Sequence, residues 1–586
     1  MKKLLFFIMA LTLMVGSCKK TDPAPTPVPA ITGVNPQQGY AGQLIVISGS
    51  ALDGASVKVG SETAATSNGS AASVSFTVPT MPLGAQKITL TATGGTTTYD
   101  GFSVIAVPPK APTISSFSPT QGPVGTEVTI MGQNFGVDAG SNRVKFNGVQ
   151  ATVKSASTTQ LVAIVPDAAT TGAISVEANG LVANAGGNFT VIVPKINTFA
   201  PTEGGAGAAV VINGEGFSSV STDIKVTING KTATVTASNP QQITIQMPEK
   251  AGTGTITVEV KGKQATSPSA FNYKYQIGAN TALFTSSLRI FQSTAVDPDD
   301  GTVYASDRNN SAVVIVRPNG TVQAVTLNDA GGAKHVSLTG ISIVKTGLGG
   351  SIDKYLTITN EAKGIYIYYT SSLTTATTSL NGFLVQGNDA IYNAPTSVAV
   401  ASQGPSAGYP LNGTYYMACF GNSSIVRSQR KDGVTSSPSI VGAGTGFNTG
   451  TVATTNAKFA GPVGIFLKNN LIYVADESNH AIRVVDYDGG KVTTLFGTGT
   501  AGNVDGAFSS VKLNLPSNVV VDNDGLIYVT DRGNSTLRVF DTRSQTSQTL
   551  LTGLNAPYGL TIDKAGVLYL GEWGQGSNRI LKLTVK

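Results

Sequence analysis

Residues 472–485 read IYVADESNHAIRVV, and residues 527–540 read IYVTDRGNSTLRVF. Each stretch begins with an alternating apolar run, passes an aspartate and a polar turn, and ends in a second alternating run, which is the pattern of a β-hairpin. An isolated hairpin buries too little apolar surface to be stable in water. A hairpin that the chain repeats therefore indicates an array of packed units, and the number of units decides the fold.

The same pattern recurs through the C-terminal half of the chain. Further copies are VYASDRNNSAVVIV (303–316), YYMACFGNSSIVRS (415–428) and LYLGEWGQGSNRILKL (568–583), and a weaker copy is YLTITNEAKGIYIY (355–368). A shorter strand precedes most of the hairpins, and a further strand follows several of them. The segment therefore holds six units of about 40–55 residues with up to four strands each, which is the size of a β-propeller blade.

We expect residues 280–586 to form a six-bladed β-propeller. The sixth unit lacks an outermost strand, and TALFTSS (281–287) is predicted to supply it, which closes the ring and leaves only short sheet edges. The hairpin SNHAIRVVDYDGG (478–490) resembles the NHL repeat, whose blades carry the signature D-x-x-N-x-x-I/L-R-V. This resemblance also implies a propeller, since the family includes six-bladed members.

A second array precedes the propeller. ITGVNPQQGYAGQLIVISGSAL (31–52), ISSFSPTQGPVGTEVTIMGQNF (114–135) and INTFAPTEGGAGAAVVINGEGF (196–217) share one frame. Proline and glycine end a first strand, an alternating strand follows, and a later glycine is expected to let the chain bend sharply. A period of about 80 residues with many short strands is the size of an immunoglobulin-like sandwich.

This frame resembles the IPT/TIG family of immunoglobulin-like domains, which implies three such domains. None of the three copies concentrates His, Cys or paired carboxylates, so they are expected to serve as spacers, with a role as binding modules as the alternative. Phe135 and Phe217, with Leu52 in the first copy, are expected to plug the end of each sandwich. The predicted domain boundaries are 31–107, 112–194 and 195–276.

The composition agrees with an all-β protein. Charged residues make up 12% of the chain, against about 25% in typical domains, whereas 41% of the residues are hydrophobic and 68 are glycine. The net charge of +6 is scattered without a basic stripe, so no nucleic-acid partner is predicted. The expected fold class is all-β, with three tandem Ig-like β-sandwiches followed by a six-bladed β-propeller.

The N-terminus predicts secretion and lipidation. Residues 1–17 have a basic start, an apolar core and a small-residue end, as in a signal peptide, and VGSC resembles the bacterial lipobox ending at Cys18. Acyl chains on Cys18 would anchor the protein in a membrane, and the proline-rich residues 18–30 would form a stiff tether. We expect an outer-membrane lipoprotein that faces the cell exterior. Cys419 is expected to be buried as a small apolar residue.

The sequence offers little catalytic chemistry. His335 and His480 are the two histidines, and neither has a second histidine or cysteine nearby to share a metal. NHL-like amidating lyases resemble this domain, but their zinc site needs several histidines. His480 is expected on a strand, in a structural role.

Four carboxylates recur at the end of equivalent hairpin strands: Asp307, Asp476, Asp531 and Glu572. Their repetition favours binding of turn amides over catalysis. No cofactor is expected, although a structural calcium ion among these oxygens stays open.

Trp573 is the single tryptophan of the chain and lies in the polar turn EWGQGSN. An aromatic ring among polar side chains suits a sugar, because the ring packs on C–H groups while its neighbours bind hydroxyls. Alternatively, the indole packs against the next blade and closes the channel. Other residues of the same propeller face complete the predicted ligand site: Arg308, Tyr392, Phe420, Glu477, Arg532, Asn555 and Tyr558.

The layout resembles the multidomain surface glycan-binding lipoproteins that accompany SusC/SusD-like outer-membrane transporters. The resemblance implies a non-catalytic protein that binds polysaccharide or oligosaccharide through its distal propeller, with such a transporter as a partner. The NHL-like cap departs from that group and leaves the ligand class open. Two alternatives remain: a propeller-based metal-dependent lyase or lactone hydrolase that uses channel carboxylates, and a protein–protein interaction scaffold.

Overall fold

The computed structural model describes residues 24–586, apart from 336, 349–350, 361–363, 371–372, 374–376, 378, 382, 387–393, 403–412, 432–433, 436–438 and 443. Cys18 and the predicted signal peptide therefore lie outside the described residues. The described part is built from β-strands and contains no α-helix, which confirms the predicted all-β class. None of its segments forms a helix with the length and apolarity that crossing a membrane requires. Its 3-10 turns are Ala139–Ser141, Ser221–Asp223, Thr454–Asn456, Glu477–Asn479 and Arg532–Asn534.

Three β-sandwiches precede the propeller. The first consists of Ala30–Asn35, Gln38–Gly39, Leu44–Ser50, Ser56–Val59, Glu62–Ser67, Ser73–Thr77, Gly84–Ala92 and Gly95–Val104. The second consists of Thr113–Ser118, Gln121–Gly122, Glu127–Gln133, Asn142–Phe146, Val149–Gln150, Thr152–Ala156, Gln160–Ile164, Gly172–Ala178 and Leu181–Val191. The third consists of Lys195–Ala200, Glu203–Gly204, Ala209–Glu215, Ile224–Ile228, Lys231–Asn239, Gln242–Gln246, Gly254–Val260 and Lys263–Tyr273. In the first and third sandwiches one strand pairs with both sheets.

Close packing requires the repeated glycine of each sandwich. Gly132 has no left-handed φ, but a Cβ at this position would overlap the carbonyl oxygen of Thr113 and the ring of Phe135. Gly49 and Gly214 meet the equivalent carbonyl oxygens of their own sandwiches. Gly132 also lies at a register shift between its strand and Thr113–Ser118. The following apolar residues, Leu52, Phe135 and Phe217, are buried as predicted.

The propeller consists of six sheets. From the innermost strand outward, blade one contains Phe291–Val296, Val303–Asp307, Ala312–Val316 and Val322–Asn328, with Ser379–Asn381 at its edge. Blade two contains Leu338–Leu348, Ser351–Asn360, Gly364–Tyr369 and Phe383–Gln386. Blade three contains Pro395–Ser402, Gly413–Cys419, Ser424–Lys431, Val434–Thr435 and Ser439–Val441. Blade four contains Pro462–Lys468, Leu471–Asp476, Ala481–Asp486, Lys491–Phe496 and Thr451–Ala453. Blade five contains Pro516–Val521, Leu526–Asp531, Thr536–Asp541, Thr546–Leu551 and Gly506–Ala507. Blade six contains Pro557–Ile562, Leu568–Glu572 and Asn578–Val585.

The ring closes through a strand that precedes blade one in the sequence. Ile277–Ser286 pairs antiparallel with Asn578–Val585 as the outermost strand of blade six. The innermost strands of neighbouring blades are in contact around the whole ring, including those of blades one and six. The predicted closing strand is confirmed, although it begins at Ile277 and ends at Ser286.

The third sandwich packs directly against one face of the propeller. The Lys250 ammonium lies 2.9 Å from Asp522 Oδ2, in the turn between the two innermost strands of blade five. The Tyr275 hydroxyl donates to Asp541 Oδ2 at 2.6 Å, and the Gln548 side chain donates to the Tyr273 carbonyl oxygen. Both aspartates are buried, so these contacts are desolvated. The third sandwich is thus more than a spacer, and the opposite face of the propeller carries the hairpin turns with the predicted ligand residues.

Gly132→Ala should destabilise the second sandwich by about 3 kcal/mol, because the added methyl group has to displace the Thr113 backbone. The matched control is Gly186→Ala in the same sandwich, where an added Cβ meets no atom within 4 Å. Scanning calorimetry of the whole protein would compare the two. If both variants lowered the melting temperature of the same transition equally, the close approach of the Thr113 carbonyl oxygen would not be the reason for the glycine at position 132.

Lys250→Met should lower the free energy of unfolding of the sandwich–propeller unit by about 3 kcal/mol, because it leaves the buried Asp522 carboxylate without its cation. Lys274→Met is the control, since Lys274 pairs with Glu203 and both side chains are about half exposed. Urea unfolding would measure both. The control should change stability by less than about 1 kcal/mol, and an equally small effect of Lys250→Met would contradict a desolvated interface.

Candidate ligand-binding site

The recurrent carboxylates hold the hairpin turns together. Asp531 accepts hydrogen bonds from the Asn514 backbone N–H at 2.7 Å, the Asn534 amide at 2.7 Å and Arg538 Nη1 at 3.3 Å. The Asp531 and Arg538 side chains are completely buried. Blade four repeats this arrangement with Asp476, Asn479 and Arg483. The signature residues of the repeat therefore form a buried network that joins the turn to the hairpin strands.

Burial raises the pKa of two of these carboxylates, Asp476 and Asp531. Removal of solvent raises the pKa of Asp476 to about 6, although Asn479, the Ala460 N–H and Arg483 act in the opposite direction. Burial also raises the pKa of Asp531. Raised pKa values often mark catalytic acids. Here, however, both side chains are fully enclosed and line neither of the two propeller pockets described below.

Other blades keep the carboxylate and change its cation. In blade one Val314 occupies the arginine position, and Arg289 from the segment before the blade pairs with Asp307 instead. In blade six Arg579 pairs with Glu572 through two of its nitrogens. The structural interpretation of all four carboxylates is confirmed. Blade three has the buried Cys419 at this position, as expected, and burial raises the pKa of its thiol to about 12.

Both histidines have protein contacts. His480 is not on a strand as predicted: it ends the hairpin turn with φ +49°, and its Nδ1 accepts a hydrogen bond from the Leu515 N–H at 3.1 Å. This bond joins blade four to blade five, which supports the structural role. His335 is buried against the Tyr366 ring. Within the described part of the chain no three His, Cys, Asp or Glu residues cluster as metal ligands.

Trp573 lies at the centre of a cluster of aromatic and charged residues on the free propeller face. Its half-buried indole packs edge-to-face on the buried Tyr558 at 4.9 Å. The guanidinium carbons of Arg532 and Arg308 lie over the indole at 5.4 and 6.0 Å from the ring centroid. Arg532 Nε donates to Glu477 Oε1 at 3.1 Å, and its Nη2 contacts the same oxygen. Burial raises the pKa of Glu477, with Arg532 acting in the opposite direction.

A pocket of about 560 Å³ opens beside this cluster. Trp573 and Arg532 form part of its wall. The remaining lining residues are Ser287, Leu288, Ile290, Asn309, Ala556, Gly574, Gln575, Gly576 and Asn578. The indole Nε1–H is buried and meets no acceptor among the described residues. The site therefore combines an aromatic edge, one guanidinium and several amides, and it suits a polar ligand with some apolar surface.

The structure brings together only some of the predicted site residues. Tyr558, Glu477 and Arg308 surround Trp573 and Arg532 without lining the pocket. The Asn555 amide donates to the Gln575 carbonyl oxygen and to Asn578, so it orders the turn. Two further predicted residues lie elsewhere. Phe420 is 43% exposed on blade three, outside this pocket, and Tyr392 lies outside the described residues.

Sequence reasoning missed the wall formed by the segment that follows the closing strand. Ser287, Leu288 and Ile290 line the pocket, and Leu288 is 81% exposed. The sequence indicated this wall only indirectly. Residues 281–287 were predicted to pair with blade six and close the ring, and that pairing places the residues that follow them beside blade six.

A second cavity, of about 280 Å³, lies in the central channel. The six innermost strands and Pro298 line it with aliphatic, serine, threonine, asparagine and phenylalanine side chains, and the lining includes no ionisable residue. The lyase or hydrolase alternative requires carboxylates in the channel, and the described lining of this cavity contains none.

Comparisons with known proteins agree with this architecture. Residues 29–104, 112–191 and 194–275 match the family model of the IPT/TIG domain, and residues 513–540 match that of the NHL repeat. The chain contains three IPT/TIG domains and an NHL repeat. NHL repeat-containing protein 2 of Bos taurus is 40% identical over 95 residues, which are 16% of this chain and 13% of that protein. The chain thus matches only about an eighth of that relative's length.

Two solved structures are similar to parts of this chain. An auxiliary nutrient binding protein from Bacteroides thetaiotaomicron is 17% identical with a TM-score of 0.37, over 67% of this chain and 98% of that one. Virginiamycin B lyase from Staphylococcus aureus is 14% identical with a TM-score of 0.33, over 53% of this chain and 100% of that one. At these TM-scores the likeness carries no conclusion about fold, ligand or activity.

Asp531→Asn should lower the free energy of unfolding by about 3 kcal/mol, because it leaves the buried Arg538 without one of its carboxylates. The control is Asp488→Asn, an exposed aspartate on blade four, which should change stability by less than about 0.5 kcal/mol. Chemical denaturation would measure both. A fully stable Asp531→Asn protein would contradict the structural role.

Proposed function

We propose that this protein is a non-catalytic carbohydrate-binding lipoprotein that takes a polysaccharide or oligosaccharide on the free face of its propeller. The observation that carries this proposal is the pocket beside Trp573, which lies opposite the face covered by the third sandwich. A ligand as long as a polysaccharide can reach this face without displacing that sandwich.

The chemistry of the pocket suits a sugar. The Nε1–H of Trp573 is buried and has no acceptor among the described residues, so the part of this side chain that a ligand can reach is the ring and not the N–H group. Asn309 and Gln575 are exposed amides on the same wall and can bind further hydroxyls. The indole supplies apolar surface for sugar C–H groups, although the guanidinium groups lie over part of it.

The remaining parts of the proposal rest on the sequence. Acylation of Cys18 would anchor the chain in the outer membrane, and the proline-rich tether and the IPT/TIG domains would separate the propeller from the lipid. On the cell exterior the propeller would then meet polysaccharide first, and a SusC/SusD-like transporter is the partner to which it would pass its ligand.

A catalytic role has less support. The four recurrent carboxylates are buried in turn networks, and the lining of the central channel contains no ionisable group among the described residues. The pocket beside Trp573 likewise has no carboxylate in its lining to act as a general acid or base.

The position of the single tryptophan provides a direct test. The full protein would be screened against purified polysaccharides, and intrinsic fluorescence would report binding at Trp573, because no other tryptophan contributes. A bound sugar should change the emission. Trp573→Ala should weaken binding at least about tenfold in titration calorimetry, which corresponds to about 1.4 kcal/mol.

Tyr369→Ala is the control, since Tyr369 is a partly exposed aromatic residue on blade two, outside the pocket. It should bind like the unaltered protein. If a polysaccharide bound without changing tryptophan emission, and Trp573→Ala bound it with unchanged affinity, the binding site would lie elsewhere. If no polysaccharide bound at all, the protein-scaffold alternative would be favoured.

A further inference from the structure

The buried arginine of blade four lacks acceptors that its counterpart in blade five has. Arg483 Nη1 donates to Asp476 Oδ2 at 3.1 Å and to the Lys458 carbonyl oxygen at 2.9 Å. The side chain is completely buried, and its Nε and Nη2 meet no acceptor among the described residues. Buried donors in native proteins are normally paired, so these two nitrogens point to a bound water or ion.

Blade five shows which group completes such an arginine. Arg483 lies opposite Thr494 in blade four, and Arg538 lies opposite Thr549 at the same place in blade five. Asp505 Oδ1 accepts from Arg538 Nε at 3.1 Å and from Arg538 Nη2 at 2.6 Å. One negatively charged oxygen therefore serves both nitrogens that are unpaired in blade four.

The position beside this edge of the guanidinium favours a negative charge. Burial acts to raise the pKa of Asp505, but Arg538 and the side-chain hydrogen bonds of the carboxylate outweigh burial, and the pKa is lowered. The corresponding segment of blade four, residues 442–458, contains no aspartate or glutamate. Blade four therefore keeps the arginine and supplies no second carboxylate for it.

The hydrogen bonds of blade four require a single acceptor atom rather than a carboxylate. In blade five the second oxygen, Asp505 Oδ2, accepts from the Thr549 N–H and hydroxyl at 2.8 and 2.7 Å. In blade four the N–H and hydroxyl of Thr494 already donate to backbone carbonyl oxygens at 2.9 and 2.6 Å. The donors that remain are Nε and Nη2 of Arg483, and one atom can accept from both.

Aromatic rings form the nearby surroundings of this guanidinium. The Arg483 Cζ lies 5.6 Å from the centroid of the Phe447 ring and 5.3 Å from that of Phe459. A ring face attracts the cation, but it does not replace an acceptor for the two nitrogens. Phe459 is fully buried and Phe447 is partly exposed, so the side of Phe447 is the one nearer to solvent. A monoatomic anion suits this mixture of guanidinium and apolar rings.

We propose that Arg483 binds a halide ion, of which chloride is the natural candidate, at the position that Asp505 Oδ1 occupies in blade five. The site is separate from the pocket beside Trp573 and does not depend on the proposed function. Asp476 pairs with Arg483 and also binds Asn479 in the hairpin turn, so the ion would complete the buried network that holds this turn. Bound chloride would therefore stabilise the propeller.

Bromide identifies the site directly, because it replaces chloride and scatters anomalously. Crystals of the full protein soaked in sodium bromide should show anomalous density in contact with Nε and Nη2 of Arg483. Arg538 is the control within the same molecule, since Asp505 already serves both of its nitrogens, and it should show none. A water molecule without anomalous density at Arg483 would overturn the proposal.

Thermal unfolding tests the same site in solution. At equal ionic strength, sodium chloride should raise the melting temperature of the sandwich–propeller unit by about 2 °C or more over sodium gluconate, and the shift should saturate. Arg483→Lys keeps a cation beside Asp476 but lacks the two-nitrogen edge, so it should lose the chloride-dependent shift. Arg143→Lys, an exposed change in the second sandwich, is the matched control and should retain it.

Equal melting temperatures in the two salts would overturn the proposal, and so would a chloride shift that Arg483→Lys retains. Bromide density without any chloride-dependent shift would show binding at crystal concentration only and would overturn it as well. If Arg483→Lys does not fold, the unaltered protein still decides through the bromide density and the comparison of the two salts.

Discussion

The pairing of Ile277–Ser286 with Asn578–Val585 is the interaction on which the functional half of this protein depends. It joins a segment that precedes the first blade to the last strand of the sixth, and without it the ring would have two open sheet edges. The same segment also links the two faces. Tyr275, just before it, bonds to blade five on the face covered by the third sandwich, and Ser287, Leu288 and Ile290, just after it, line the pocket on the opposite face. One continuous segment of the chain therefore takes part in ring closure, in the contact with the third sandwich and in the pocket wall.

The buried carboxylates explain how short hairpin turns become rigid enough to support a site. Backbone N–H groups beside these turns need acceptors, and a buried carboxylate accepts from them while a buried arginine donates to the same carboxylate. A buried ion pair of this kind contributes little net stability, because desolvation offsets much of the attraction, but removing one partner is costly. In blade one, which lacks the repeat arginine, Arg289 supplies the cation for Asp307 from another position in the chain. The consequence for function is that these carboxylates already bind amide and guanidinium groups of the protein.

Trp573 both packs inside the protein and borders the pocket. It packs on Tyr558 of its own blade, at the edge of a core formed mainly by blades four and five, and part of it lines the pocket. Because guanidinium groups lie over the indole, the site differs from an open aromatic platform: charge-assisted hydrogen bonds would contribute alongside ring contacts. The third sandwich covers the opposite face, so the direction from which a ligand approaches follows from the interface between the last IPT/TIG domain and the propeller.

The sequence by itself determined the repeat architecture. Strand alternation, turn residues and two periods were enough to predict sandwiches, six blades and the closing strand, because each repeat needs the same local pattern to bury its face. The structural role of Asp476 and its equivalents was also readable, since a residue required for a single chemical step has no reason to recur in four blades. Only the tertiary structure decided the site. Arg532, Leu288 and Gln575 are far apart in the chain and meet where ring closure brings the blades together, and no local pattern encodes that meeting. The same holds for Gly132, whose close contact with Thr113 depends on strand pairing and not on its own backbone conformation.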